Sequence, residues 1–349
     1  MRMPDYETNR FLYRFAWFTA GATVLLICSG GMVTSKGVGL AVPDWPTTFG
    51  YNMFFFPVSK WVGGVFFEHT HRLIASVIGF LTIILAIWLW LSKAERWVKT
   101  LGWVSLGAVV LQGILGGLRV TLLKDQIGIF HACLAQAFLG LLVIIALALS
   151  PVWRRLASFG GNVPSRALAI FGIVISGFIY GQLALGATMR HQHRDLAILD
   201  LPLAYGQIIP QTDPATIARI NQARDAQALS DVSAGQIWLQ MAHRFVAAII
   251  GLTIAIFWYL VRRERARPPF LRNLSNLWLA LVLLQITLGA WTIWSNKAAD
   301  IATAHVAVGA ITFATGIVIS AVLLRLHQVA RSSPFPLRTS AQLAEAAAS

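Results

Sequence analysis

Ionised side chains are scarce in this chain of 349 residues: only 12% are Asp, Glu, Lys or Arg, and there are just 14 acids. Soluble domains carry about 25% charge, so a soluble globular enzyme is excluded. Cysteine is nearly absent too. Cys28 and Cys133 both lie inside apolar runs, which excludes a disulfide scaffold and gives no redox compartment. What fills the chain instead is apolar, 57% by count, with a mean hydropathy of +0.67. A bilayer span needs roughly 20 apolar residues. Such segments lie near 13–34, 70–92, 98–118, 129–150, 167–188, 237–261, 275–294 and 302–326. The expectation is an all-α, polytopic membrane protein of eight transmembrane helices.

The N-terminal stretch has Arg2, Arg10 and Arg14 before its apolar run and no short segment ending in a small-residue cleavage site. The LLIC before Cys28 differs from a lipoprotein signal in the bulky Ile27. The first segment is therefore read as a retained span. The net charge of +14 would suggest nucleic acid in a soluble protein, but here its position decides its meaning. With the N-terminus inside, the inner segments hold 17 Lys/Arg and 5 Asp/Glu, and the outer loops hold 9 of each. Arg72 and Arg244 remain. The imbalance is the positive-inside signal: both termini are expected in the cytoplasm, in a cell (plasma or inner) membrane, with lipid rather than nucleic acid as the surrounding partner.

The chain repeats itself. His71 to Gly79 (HRLIASVIG) matches His243 to Gly251 (HRFVAAIIG) at five of nine positions, and LQGILGG (111–117) aligns with LQITLGA (284–290). His71 to Gln112 is 41 residues and His243 to Gln285 is 42; a further 19 and 20 lead to His131 and His305. The expected organisation is two duplicated four-helix bundles, 1–160 and 161–349. GQLALGA (181–187) repeats the Gln and Gly four apart on one helix face. Those glycines serve either close helix packing or the accommodation of a flat ligand.

His71, His131, His243 and His305 fall at or near the outer ends of the even spans, two per half. Ionisable groups in a membrane are expensive and normally mark function. Two imidazoles facing each other across a four-helix bundle are the usual axial pair of a haem iron. Zinc would want further thiolate or carboxylate ligands, which these helices hardly offer. Arg72 and Arg244 follow the first histidine of each half; their forks suit haem propionates, or else they snorkel to lipid headgroups. Three residues before His71 stands Glu68, where the second half has Gln240. On a helix i and i+3 share a face. Glu68 either forms a salt bridge with Arg72 or serves chemistry beside one site only, relaying protons or stabilising a cation. His69 points to another face and is expected at the interface. In RHQHR (190–194), His191 and His193 suit either metal capture or a solvated polar loop. The segment 211–235 reads as a polar outer excursion with one short helix, and the tail beyond 328 as a mobile cytoplasmic end.

The EHTHR segment (68–72) resembles the Glu-x-x-His-Arg motif of the haem A synthases. GLAVPDWPTTFG (39–50) is similar to their first outer loop, and LPLAYGQIIP (201–210) to the stretch after their fifth span. The resemblance covers nearly the whole chain. It implies an oxidoreductase that oxidises the ring methyl of haem O to the formyl of haem A by successive hydroxylations. It further implies substrate haem O between His71 and His131, Glu68 as the catalytic carboxylate, and a resident haem b on His243 and His305. The implied partners are the enzyme that supplies haem O, terminal oxidase assembly proteins and an electron donor left open. The outer-loop cysteine pair of some members is missing here. The rivals are a dihaem electron carrier of the cytochrome b kind and a non-catalytic haem-binding assembly protein. Such a carrier places haems at both depths, whereas these four histidines share one side.

Overall fold

The computed structural model describes residues 10–157, 164–191, 196–264 and 268–332. Backbone polar groups in lipid must bond within their own segment, so apolar stretches of this length become helices. Among the described residues, eight helices are long and apolar enough to span: α1 (Arg10–Ser35), α2 (Gly63–Leu91), α3 (Arg96–Leu122), α4 (Asp125–Ala148), α6 (Arg166–His191), α8 (Ala234–Arg262), α9 (Pro269–Trp294) and α10 (Ala299–Ser332). The chain is thus an all-helical, multi-pass membrane protein. Two shorter helices complete the set, α5 (Pro151–Ala157) and, in the expected outer excursion, α7 (Pro214–Asp225).

Several boundaries differ from expectation in an informative way. Helix α2 starts at Gly63 rather than near 70, because outer-loop residues cover its first turns and let polar Glu68 and His69 sit inside. Helix α10 runs to Ser332, past the expected tail start. Residues beyond it lie outside the described residues. Two helix starts are capped as their sequences direct. Ser233 and Gln236 form a reciprocal capping box on α8, and the Asp213 side chain accepts from the Thr216 amide at the start of α7.

Helix α1 packs on α2, α2 on α3, α3 on α4 and α4 back on α1; α6, α8, α9 and α10 close a second ring in the same order. The rings meet through α1, α4, α6 and α10. This inner quartet explains why 56% of the α10 span is buried but only 11% of α9. Small residues allow the close approach. A Cβ on Gly316 (α10) would lie 2.6 Å from Ser176 Oγ (α6) and 2.8 Å from Trp278 Cζ2 (α9). Trp278 is itself fully buried and donates to the Thr312 carbonyl at 3.0 Å.

Overpacking a tight contact typically costs about 1–3 kcal/mol. Gly316→Val is therefore expected to lower the thermal unfolding temperature in detergent, while Gly177→Ala, with nothing within 4 Å of its Cβ, leaves it unchanged or raised.

Candidate functional site

The four histidines project from α2, α4, α8 and α10, and each ring meets a glycine on the preceding spanning helix. An ideal Cβ on Gly30 would lie 3.0 Å from His71 Cε1, and one on Gly116 3.4 Å from His131 Cε1. The second ring repeats this, with Gly186 at 3.4 Å from His243 Cε1 and Gly289 at 3.1 Å from His305 Cε1. The glycines therefore make room for imidazoles, a use distinct from both helix contact and direct ligand space. His71 lies within electrostatic reach of His131, and His243 of His305. The Nδ1 atoms of all four are buried and have no hydrogen-bond partner among the described residues. Buried imidazole nitrogens without partners are rare, and four at matching positions form a set. Among the described residues no three His, Cys, Asp or Glu side chains converge as a metal site. Paired imidazoles suit a metal that brings its own equatorial ligands, as haem iron does.

Each pair is roofed by a long loop, and the two loops are built on one plan. In the first, the Asp44 carboxylate accepts from the Phe49 amide (2.7 Å), the Gly50 amide (2.8 Å) and the Thr47 hydroxyl. In the second, Asp200 accepts from the amides of Tyr205 (2.9 Å) and Gly206 (3.0 Å). Phe49 and Tyr205 both take positive φ, followed by glycine at φ +76 in both loops. The signal was available in the sequence as DWPTTFG (44–50) against DLPLAYG (200–206), a pairing that the helix repeats alone do not bring out.

The helix residues beside the histidines clasp these loops. Arg72 donates to the carbonyls of Asp44 (2.7 Å), Thr47 (3.1 Å) and Val42 (3.0 Å), and to Glu68 Oε1 at 2.7 Å. Arg244 donates to the carbonyls of Asp200 (2.7 Å) and Leu203 (2.9 Å). Both arginines, read in the sequence as propionate anchors or snorkels, thus hold loop backbone here. Glu68 is buried; besides the Arg72 salt bridge, its Oε2 accepts from the Val42 amide at 2.8 Å. Gln240 makes both backbone bonds of the equivalent residue, accepting from the Ile198 amide (2.9 Å) and donating to the Ile198 carbonyl (3.0 Å). A carboxylate cannot donate, so in the first half Arg72 takes the Val42 carbonyl instead.

Two expectations need correction. His69 is fully buried rather than interfacial; it shares a 3.2 Å hydrogen bond with Thr48 Oγ1 and packs between Phe56 and Trp61, so the folded loop removes it from the interface. His191 ends α6 and is buried rather than solvated, because the helix carries it against Gly128 of α4, where a Cβ would lie 2.6 Å from its Nδ1. His193 lies outside the described residues. Its neighbour Arg190 escaped sequence notice: it donates to the Gly31 carbonyl (2.7 Å), Ser35 Oγ (2.6 Å) and the Ala302 carbonyl (3.4 Å), joining α6 to α1 and α10. Trp45 was also missed. Its indole fills the space a Cβ would need on Gly117, next to the glycine that faces His131.

Fold and site together define a class, a membrane-spanning helical bundle presenting two pairs of imidazoles beneath two outer loops. The profile of the COX15-CtaA family, described as cytochrome oxidase assembly protein, matches residues 52–317, and the chain belongs to this family. Relatives include the heme A synthases of Geobacillus kaustophilus (25% identical, covering 85% of this chain and 86% of the relative), Shouchella clausii (28%, covering 74% and 79%) and Halalkalibacterium halodurans (26%, covering 88% and 95%).

Partial burial by itself would raise the Asp44 carboxyl, but its hydrogen bonds from Gly50, Thr47 and Phe49 outweigh this and hold it below the ordinary 3.8. A depressed carboxyl stabilises above its unfolded value and loses that contribution as pH falls through the folded one. The loop is expected to keep its form from pH 7 to pH 5 and loosen only below about pH 3.8, read by Trp45 fluorescence. Asp44→Asn is expected to loosen it at every pH and to abolish that acid transition.

Proposed function

We propose that this chain is a haem A synthase: it oxidises the ring methyl of haem O to a formyl group through successive hydroxylations and loss of water. The carrying observation is the pair of buried imidazoles in each half, every ring set against a helix glycine. The family match and the heme A synthase relatives support the chemistry.

In this reading 1–160 forms the substrate half, with haem O between His71 and His131, and 161–349 the half that holds haem b on His243 and His305. A haem b there would supply one-electron redox chemistry. Arg72 and Arg244 set positive charge at the outward edge of each site, where propionates would lie. Arg244 also keeps a buried Nε without a hydrogen-bond partner among the described residues. Haem O supply and oxidase assembly proteins are the proposed partners, with an electron donor besides. The excess of inner cations supports cytoplasmic termini in the cell membrane.

Glu68 is the proposed catalytic carboxylate. Holding the loop amide requires only an acceptor, as Gln240 demonstrates in the other half. The negative charge of Glu68, shared with Arg72, is not needed for that task, and it stands one turn from His71, where it can stabilise positive charge at the reacting methyl or relay a proton. Glu68→Gln reproduces the Gln240 arrangement. It is expected to leave fold and pigment content intact while haem A formation from haem O falls by about 10²-fold or more. Unchanged turnover would remove the catalytic role.

Pigment extraction tests the function itself. Haem b together with haem O or haem A is expected from the purified protein. His243→Ala is expected to lose haem b while haem O binding persists, and His71→Ala the reverse. Two equivalents of haem b and no conversion of haem O with reductant and dioxygen would overturn the proposal in favour of a carrier.

A further inference from the structure

Arg119 stands near the outer end of α3, three residues after the glycine that faces His131. Its charge acts on His71 and His131 and is felt by the carboxylates of Glu68 and Asp125, neither of which it hydrogen-bonds. The side chain is partly buried, yet its guanidinium makes no hydrogen bond or ion pair with any described residue. The fold nevertheless makes space for it. A Cβ on Gly39 of the first outer loop would lie 2.8 Å from Arg119 Nη1, and a Cβ on Gly128 of α4 would lie 3.0 Å from its Nε. Two glycines from separate elements thus cradle one guanidinium, with His191 against the same Gly128.

A planar fork of five donors, half-buried and with no hydrogen-bond acceptor among the described residues, is a ready partner for an oxyanion. Arg72 is poorly placed to do this in the first half, since its Nη1 and Nη2 already serve three loop carbonyls and Glu68. The feature is not repeated. At the spacing that pairs Gln112 with Gln285, Arg119 pairs with Thr292, whose hydroxyl donates to the Leu288 carbonyl of its own helix. Near His305 the corresponding cation is Arg190 of α6, and its fork is engaged by α1 and α10. Among the described residues, a guanidinium without a hydrogen-bond partner therefore accompanies the first imidazole pair and not the second.

We propose that Arg119 binds a carboxylate of the tetrapyrrole entering the first site, and so selects a propionate-bearing substrate over a neutral one. This rests on the first half being the substrate half. Hydrogen bonds to charged groups are worth about 1.5–3 kcal/mol, roughly tenfold to a hundredfold in affinity.

The test titrates the purified full-length protein, carrying its second-site haem, with haem O and with haem O dimethyl ester. The wild-type protein is expected to prefer haem O by that factor. Arg119→Gln is expected to weaken haem O to the level of the ester, leave ester binding unchanged and raise KM more than it lowers kcat; Arg119→Lys should recover part of the preference. An unaltered absorption spectrum of the second-site haem reports that the variant is folded. Undiminished haem O affinity in Arg119→Gln, or equal losses for acid and ester, overturns the role of Arg119 alone. A wild-type protein that binds no haem O overturns the substrate site together with it.

Discussion

Everything at the outer end of this bundle depends on one steric fact: an imidazole can approach a neighbouring helix only where that helix has no side chain. Gly30, Gly116, Gly186 and Gly289 provide that at each of the four histidines. Larger residues there would push the rings out of line or the helices apart. Interiors pack closely, so these contacts restrict where each ring can lie. The loops add a second constraint from above. Each is closed on itself by an aspartate and clasped to its helix by the arginine that follows the histidine.

Within this common frame the two halves depart from each other on one side of the molecule. The first half has Glu68 where the second has Gln240, Trp45 where the second has Leu201, and Arg119 where the second has Thr292. The exchange at Glu68 forces a rearrangement of hydrogen bonds around Val42 but not of backbone. A cation, an anion and an indole thus accumulate around one imidazole pair, while the other pair is served by an amide and by arginines already engaged in holding backbone. Such polarity is what a pair of sites needs if one turns over its ligand and the other keeps it.

Much of this was legible in the sequence because membranes impose coarse rules. Spans follow from apolar runs, and the histidines stood out because polar groups are scarce among them. The loops were harder. Whether His69 and His191 face water depends on how residues 36–62 and the end of α6 fold over them, and no periodicity encodes that. The glycines were visible, but their partners were not: a Gln and a Gly four apart do not say whether the space is for a helix, a ligand or a ring. The loop repeat was missed for a simpler reason. Its spacing, 156 from Asp44 to Asp200, differs from the 172 that joins His71 to His243.

Those two spacings differ by 16 residues, all of them between Gly206 and His243, the stretch that contains α7 and the capped start of α8. Asn221 and Val232 exchange two hydrogen bonds, and Arg224 binds the carbonyls of Leu196 and Ser230, so the surplus chain is tied off locally. The arginine still clasps the carbonyl of the loop aspartate, at 2.7 Å as in the shorter loop. In engineering terms the surplus segment is a port, a place to graft or exchange sequence above one pair of histidines without disturbing either.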